Sequence, residues 1–369
     1  MNVPLDLRAT LERLLQGMDL DEAEAERFLP ALTAAELPAA LAGALLAALR
    51  AKGVTADELR GFARCMRALA RRPELPAPAD AIDIVGTGGD SSGSLNLSTG
   101  AALLAAACGL PVFKHGNRGV SSRAGSADVL QALGLPLPLD EAAAGRCFAA
   151  LGFTFLFAPY YHAATRGIAP VRAALGVRTV FNILGPLSNP AAPAHLVLGA
   201  FDLPTAELMA QSLRGSGITR AFVIHGADGW DEPTPIGPFT LFDVGPSGVR
   251  VEQRTPADYG LACCLPGALA GADAEYNAAQ LRRVLNGERR GRAERGEATL
   301  ATGDDVAGDA HRDALLLGAA LALEVTGHER APRAALARAA AAIDSGAGRS
   351  LLQRLARFGA DETARMRTA

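Results

Sequence analysis

Apolar residues in the first 72 positions recur every three to four residues, the period of a helix with one buried face. The runs LRATLERLLQG and AALAGALLAALRAKG carry this pattern, and Gly17 and Gly53 sit where those helices would stop. Thr55-Ala56-Asp57-Glu58 precedes the next apolar-periodic run. A Thr followed three residues later by a Glu is the spacing of a capping box. No strand signal interrupts this stretch. Pro73, Pro76 and Pro78 then punctuate RRPELPAPADA, which reads as a linker.

Beyond residue 80 the pattern changes. AIDIVG is a short β-branched run that ends in glycines, and a helical stretch from Ser98 to Gly109 follows it. PVFKHG and a second helical stretch, Gly125 to Gly134, repeat the theme. FTFLFAP, HLVLGAF and AFVIHG continue it, with PTAELMAQSLRGSG as a helix between the last two. Strands alternating with helices predict a parallel sheet covered by helices. From Asp313 the chain returns to Ala- and Leu-rich helices. Before that, Arg289 to Asp309 is charged and Gly-rich and reads as an exposed loop. The expected fold class is α/β. A small all-helical N-terminal domain (1–72) precedes a larger α/β domain (80–369) with a mainly parallel central sheet.

Composition narrows the function classes. With 369 residues, 49% apolar and 20% charged, the chain can bury a full core. A net charge of −3 gives no global attraction for nucleic acid or an anionic membrane. The longest apolar stretches break well before a membrane span. The start, MNVPLDLRATLERL, has no basic segment ahead of an apolar run, so no signal peptide is expected. Five cysteines at irregular spacing, without a CxxC, suggest buried thiols in a reduced cytoplasmic protein, with no zinc ligand set.

Four stretches could carry chemistry. In GTGGDSSGSLNLSTG, residues 86–100, glycines follow a strand and Asn96, Ser98 and Thr99 open a helix. Glycine allows backbone N–H groups to approach a ligand closely, and a helix N-terminus attracts phosphate. The spacing is neither a dinucleotide fingerprint nor a Walker loop. In KHGNRGVSSRAGSADVL, Lys114 and Arg118 bring positive charge, and Ser121 and Ser122 add hydroxyls, one strand–helix unit later. Each residue alone reads as a solvated loop position. Together they share the crevice at the C-terminal ends of the strands. Asp231-Glu232, after the fifth strand, reaches the same edge. An acidic pair in a Gly-rich turn is ordinarily just polar, but beside a polyphosphate it suits Mg²⁺. Arg172, in APVRAALG, offers the fork that fits a carboxylate, although a surface helix arginine is the simpler reading in isolation.

GTGGD, NLST, KHGNR, GSADVL, LFAP, APVR, TVFNILGPLSNP, GWDE, GADAEYNA and AIDSG follow one another in an order that resembles the anthranilate phosphoribosyltransferases over nearly the whole chain. The resemblance implies transfer of the 5-phosphoribosyl group of 5-phosphoribosyl-1-diphosphate (PRPP) to the amine of anthranilate. Pyrophosphate is released, Mg²⁺ is used, and the product enters tryptophan biosynthesis. It implies a homodimer, and a helical domain joined by helices from residues 163–190. Gly86, Thr87, Gly88, Gly89, Asp90, Asn96, Ser98, Thr99, Lys114 and Ser121 would bind PRPP. Ser98, Asp231 and Glu232 would hold Mg²⁺. His115, Asn117, Pro159, His162, Arg172 and Gly185 would bind anthranilate, Arg172 through its carboxylate. No residue is assigned as a general base.

Some positions depart from the family. Ser91 stands where glycine is common, Gly119 where Ser or Ala is usual, Trp230 in place of leucine, and Pro233 after the acids. The 289–309 insert is longer than usual. Three rival readings remain: a paralogous phosphoribosyltransferase for another carboxylated arylamine, a nucleoside phosphorylase of similar architecture, and a non-enzymatic nucleic-acid-binding relative. The acidic pair speaks against the second. The intact motifs and slight net acidity speak against the third.

Overall fold

The computed structural model describes residues 5–119, 123–288 and 309–368. Four helices come first: α1 (Leu7–Leu15), α2 (Glu22–Thr33), α3 (Ala39–Lys52) and α4 (Ala56–Leu69). Their ends follow local chemistry. Asp21 and Glu24 close a capping box on α2, and Thr55 and Glu58 close the one expected on α4. Gly53 ends α3 with φ +89°, a conformation that costs glycine little. The linker lies against the rest of the fold, with Arg71 N–H donating to Tyr161 O at 2.9 Å and Glu74 N–H to Glu141 O at 3.0 Å.

The remainder is a seven-stranded sheet in the order β3-β2-β1-β4-β5-β6-β7. The strands are β1 (Ile82–Gly86), β2 (Val112–Gly116), β3 (Phe153–Phe157), β4 (His195–Gly199), β5 (Arg220–His225), β6 (Phe239–Gly245) and β7 (Gly248–Arg254). β1 to β5 are parallel and correspond to the five expected runs. The sequence reading did not include the antiparallel hairpin β6–β7, which extends the sheet past β5. Helices α5 (Leu97–Ala107), α6 (Ser126–Ala132) and α7 (Glu141–Leu151) follow in turn, α7 also unanticipated.

Alternation along each strand splits the core in two. Val197, Phe222 and Ile224 point into one core with α5 and the helix Ala310–Val325. Leu196, Leu198, Ala221 and Val223 point into the other. That second core also contains Leu45, Phe28 and Phe62 from the N-terminal helices and Ile168, Val180 and Leu184 from the segment after β3. The N-terminal helices and the segment after β3 therefore pack on the same face of the sheet. Residues 289–308, most of the charged insert, lie outside the described residues.

Candidate active site

The first wall of the crevice is the glycine loop after β1. Gly88 and Gly89 take φ values of +67° and +77°, where a β-carbon is disfavoured. Gly88 N–H donates to Asp231 Oδ2 at 2.6 Å, and Thr87 Oγ1 to the same oxygen at 3.5 Å. Two neighbouring strand ends must be glycine for a different reason. A Cβ at Gly199 would sit 1.5 Å from Asp231 O, and one at Gly86 2.3 Å from Asp231 Oδ2. The acidic turn is thus pressed onto the ends of β1 and β4. Asp90 accepts Ser92 N–H at 3.1 Å and lies beside Asp231, whose N–H approaches its Oδ2 at 3.4 Å.

The second wall is the start of α5. Ser98 N–H donates to Glu232 Oε1 at 2.8 Å. Asn96 is turned aside, bonded to Ala124 O at 3.1 Å and to Asn277 Nδ2 at 2.8 Å. Thr99 is buried, and its hydroxyl has no hydrogen-bond partner among the described residues. Burial pushes the Asp231 and Glu232 carboxyls well above the ordinary range. Asp90 pushes both the same way and Asp231 raises Glu232 further, against the N–H donors of Gly88 and Ser98. Asp90, Asp231 and Glu232 thus crowd one point, where a cation would relieve their repulsion. Among the described residues, no three His, Cys, Asp or Glu side chains converge as a complete metal cage. Two carboxylates with open oxygens fit Mg²⁺ all the same, because that ion takes few protein ligands and completes its shell with substrate oxygens and water.

β2 forms the floor. Lys114 is 1% exposed and bonds through Nζ to Ile84 O. Burial lowers its pKa, while Asp83 and Glu232 oppose the shift. Its head therefore lies against β1, close enough to Glu232 of the acidic turn to feel its charge. His115 N–H donates to Asp83 Oδ1 at 3.2 Å, and its Nδ1 lies 3.2 Å from Gly185 O. Asp83 also accepts Asn189 Nδ2 at 2.8 Å. The ring of His115 stands edge-on to His162 at 5.1 Å. Both Nε2 atoms are buried and have no partner among the described residues, and burial lowers both imidazoles, His162 to about 4 and His115 well below its usual value. A Cβ at Gly185 would meet nothing within 4 Å, so the backbone there borders open space.

Other expected residues are less concentrated. Asn117 is exposed and accepts Arg118 N–H at 2.7 Å through its own Oδ1. Arg118, read as a source of positive charge, is paired with Asp128 at 2.7 Å. Pro159 is exposed at the start of the short helix Ala158–Tyr161, two residues before the buried Tyr161–His162 pair. Ser121 and Ser122 lie outside the described residues. Arg172, in the helix Ala169–Leu175, is half-buried and stacks 4.9 Å over the Phe181 ring. Among the described residues its guanidinium makes no hydrogen bond or ion pair, and burial lowers its pKa. The cysteines are all free, but Cys263 is exposed, contrary to the expectation of buried thiols. No described helix is long and apolar enough to cross a membrane.

The sequence reading missed Asp83, Asn189 and Arg178. Asp83 was detectable as a single acid inside an apolar strand. Arg178 donates to Gly89 O and lies 3.8 Å over the Phe201 ring. Nothing local distinguishes it from a solvated arginine.

Comparison with known proteins agrees with this architecture. Residues 8–70 match the glycosyl transferase family helical bundle domain, and residues 78–349 the glycosyl transferase family a/b domain. The anthranilate phosphoribosyltransferase of Methylobacterium nodulans is 44% identical over 345 residues, 94% of this chain and 96% of that protein. The crystal structure of anthranilate phosphoribosyltransferase from Thermus thermophilus superposes with a TM-score of 0.85 at 40% identity, covering 96% of this chain and 99% of that one. The Saccharomyces cerevisiae enzyme in complex with PRPP and Mg shares the fold, with a TM-score of 0.84 at 24% identity over 96% of this chain and 98% of that one. Glycine loop, acidic turn and paired histidines therefore sit on a scaffold shared end to end with these relatives, and the chain belongs to the anthranilate phosphoribosyltransferase family.

Proposed function

We propose that the protein transfers the 5-phosphoribosyl group of PRPP to the amine of anthranilate, releasing pyrophosphate, as a step of tryptophan biosynthesis. One observation carries the reading. The two backbone N–H groups best placed for a diphosphate, those of Gly88 and Ser98, are held by Asp231 and Glu232, so anion-binding donors and cation-binding acids meet at one point. In this reading, Gly86, Thr87, Gly88, Gly89, Asp90, Asn96, Ser98, Thr99, Lys114 and Ser121 serve PRPP. Ser98, Asp231 and Glu232 would hold Mg²⁺, which supplies charge neutralisation to the diphosphate leaving group.

The acceptor side follows from the opposite wall. The unpaired guanidinium of Arg172 suits the anthranilate carboxylate. His115, His162, Pro159 and Gly185 border the space for the ring, with Asn117 toward the amine. Neutral imidazoles can pack against an aromatic ring at little desolvation cost. Cleavage of the C1–O bond leaves positive charge on the ribose, and the bound amine must lie on the opposite ribose face. The residues here orient the two reactants and stabilise charge. The arylamine sheds its proton readily after attack, so no general base is assigned.

We also propose that residues 1–72, with the helices of 163–190, form the acceptor-side unit against an α/β unit from residue 80 onward. A homodimer in the cytoplasm is the expected state, supported by the family relationship and by exposed Leu15 and Met18 at the end of α1. The function is tested by mixing purified protein with PRPP, Mg²⁺ and anthranilate and following anthranilate fluorescence. A decay that requires both PRPP and Mg²⁺, with pyrophosphate appearing, is expected. Calorimetric PRPP binding without decay would point to a different arylamine acceptor.

A further inference from the structure

Arg178 is held from both sides of the crevice. Its carbonyl oxygen accepts Arg50 Nη1, from α3, at 2.8 Å. The next residue, Thr179, donates its N–H to Asn182 Oδ1 at 2.9 Å. On the sheet side, the guanidinium donates to Gly89 O in the glycine loop and stacks on Phe201, just beyond β4. A Cβ at Gly89 would come within 3.3 Å of Arg178 Nη2, so the contact is close along the backbone as well. Arg172, whose guanidinium is unpaired among the described residues, belongs to the same short segment. One stretch of chain thus carries a clamp on the glycine loop at one end and a carboxylate-ready cation at the other.

We infer that Arg178 is a positioning residue that couples occupancy of the glycine loop to the carboxylate site at Arg172. The inference rests on the function proposed above. A diphosphate seated on the loop fixes the peptide whose carbonyl Arg178 holds. The docked guanidinium then fixes the 172–178 segment, and Arg172 meets its carboxylate without first being ordered. Such coupling is reciprocal, so each ligand tightens the other by the same factor. Stacking on a ring while donating in plane is specific to a guanidinium, and a lysine cannot reproduce it. Arg178 is exposed, so its replacement leaves the core intact.

The test is calorimetric titration of the full-length protein with anthranilate, with and without saturating Mg²⁺-pyrophosphate as a non-reacting occupant of the loop. Wild type should bind anthranilate about fivefold or more tightly when pyrophosphate is present. In Arg178→Gln and Arg178→Lys that ratio should fall to within about twofold of unity, and pyrophosphate affinity should change by less than about threefold. A variant that keeps the wild-type ratio overturns the inference, as does a wild-type ratio of one. A loss confined to pyrophosphate affinity also overturns it, because Arg178 would then be a direct ligand of the diphosphate. Wild-type protein that binds neither ligand overturns the function reading and this inference together.

Discussion

Glu232 reaches across the crevice and caps the N-terminus of α5 by accepting Ser98 N–H at 2.8 Å. An acid from the turn after β5 thus occupies a donor that a phosphate oxygen would use, and Asp231 does the same at Gly88. Asp231→Ala combined with Glu232→Ala should lower turnover by about 100-fold or more and raise the Mg²⁺ concentration needed for half-maximal rate. A Mg²⁺ titration of initial rates reads both quantities. An unchanged Mg²⁺ profile would remove these residues from the site.

Arg172→Ala should act on one substrate only. A hydrogen-bonded charge contact is worth about 1.5–3 kcal/mol, so the KM for anthranilate should rise by about 10- to 150-fold. The KM for PRPP should stay within about threefold. Steady-state kinetics with each substrate varied in turn decides it, and equal losses for both would contradict the assigned role.

The paired imidazoles predict a direction for stability against pH. Their folded pKa values lie below the ordinary value of about 6.5, His162 at about 4. Between those limits the unfolded chain binds protons that the folded chain refuses. Stability contributed by the neutral His162 is therefore full above pH ~6.5 and falls as the pH drops toward 4, by up to about 1.4 kcal/mol per pH unit, and His115 acts in the same direction. Asp83, pushed up to about 6 by burial, has the opposite sign. The histidine part is accordingly read as the difference between wild type and His162→Gln in urea midpoints at pH 7.5 and pH 5. An identical pH dependence in the two proteins would contradict it.

Ser91 takes φ +60°, the left-handed region that favours glycine. A left-handed conformation costs an L-residue about 1–2 kcal/mol, and glycine forfeits part of that gain through its freer unfolded state. Ser91→Gly should therefore be neutral or stabilising by about 1 kcal/mol, whereas the β-branched Ser91→Val should lower the melting temperature. Thermal melts of both variants provide the check. A Ser91→Gly protein that melts clearly below wild type would contradict the strain at this position.

The parallel strands were legible because each is a short apolar run closed by glycine, and the helix caps because their residues are three apart. The β6–β7 hairpin was not noticed, although Gly245-Pro246-Ser247-Gly248 marks its turn. Its outer strand is an edge with mixed polar positions, so no apolar run announces it. The same divide holds in the crevice. The glycine loop and acidic pair are contiguous in sequence and stood out. Asp83–Asn189 and Arg178–Gly89 join residues 106 and 89 positions apart, and only the folded topology brings them together. Lys114 was identified as a charge, but its burial under Ile84 depends on the register of β2 against β1.

The second core has a thermodynamic corollary. Leu196, Leu198, Ala221 and Val223 of the sheet share it with Phe28, Leu45 and Phe62 of the N-terminal helices. Neither group can lose the other without wetting its own apolar face. Melting α1–α4 therefore strips apolar cover from one face of β4 and β5, the strands whose ends carry the acidic turn. In a calorimeter the chain should absorb heat in a single peak, and a substitution in the helical core should loosen the acidic turn without touching it directly.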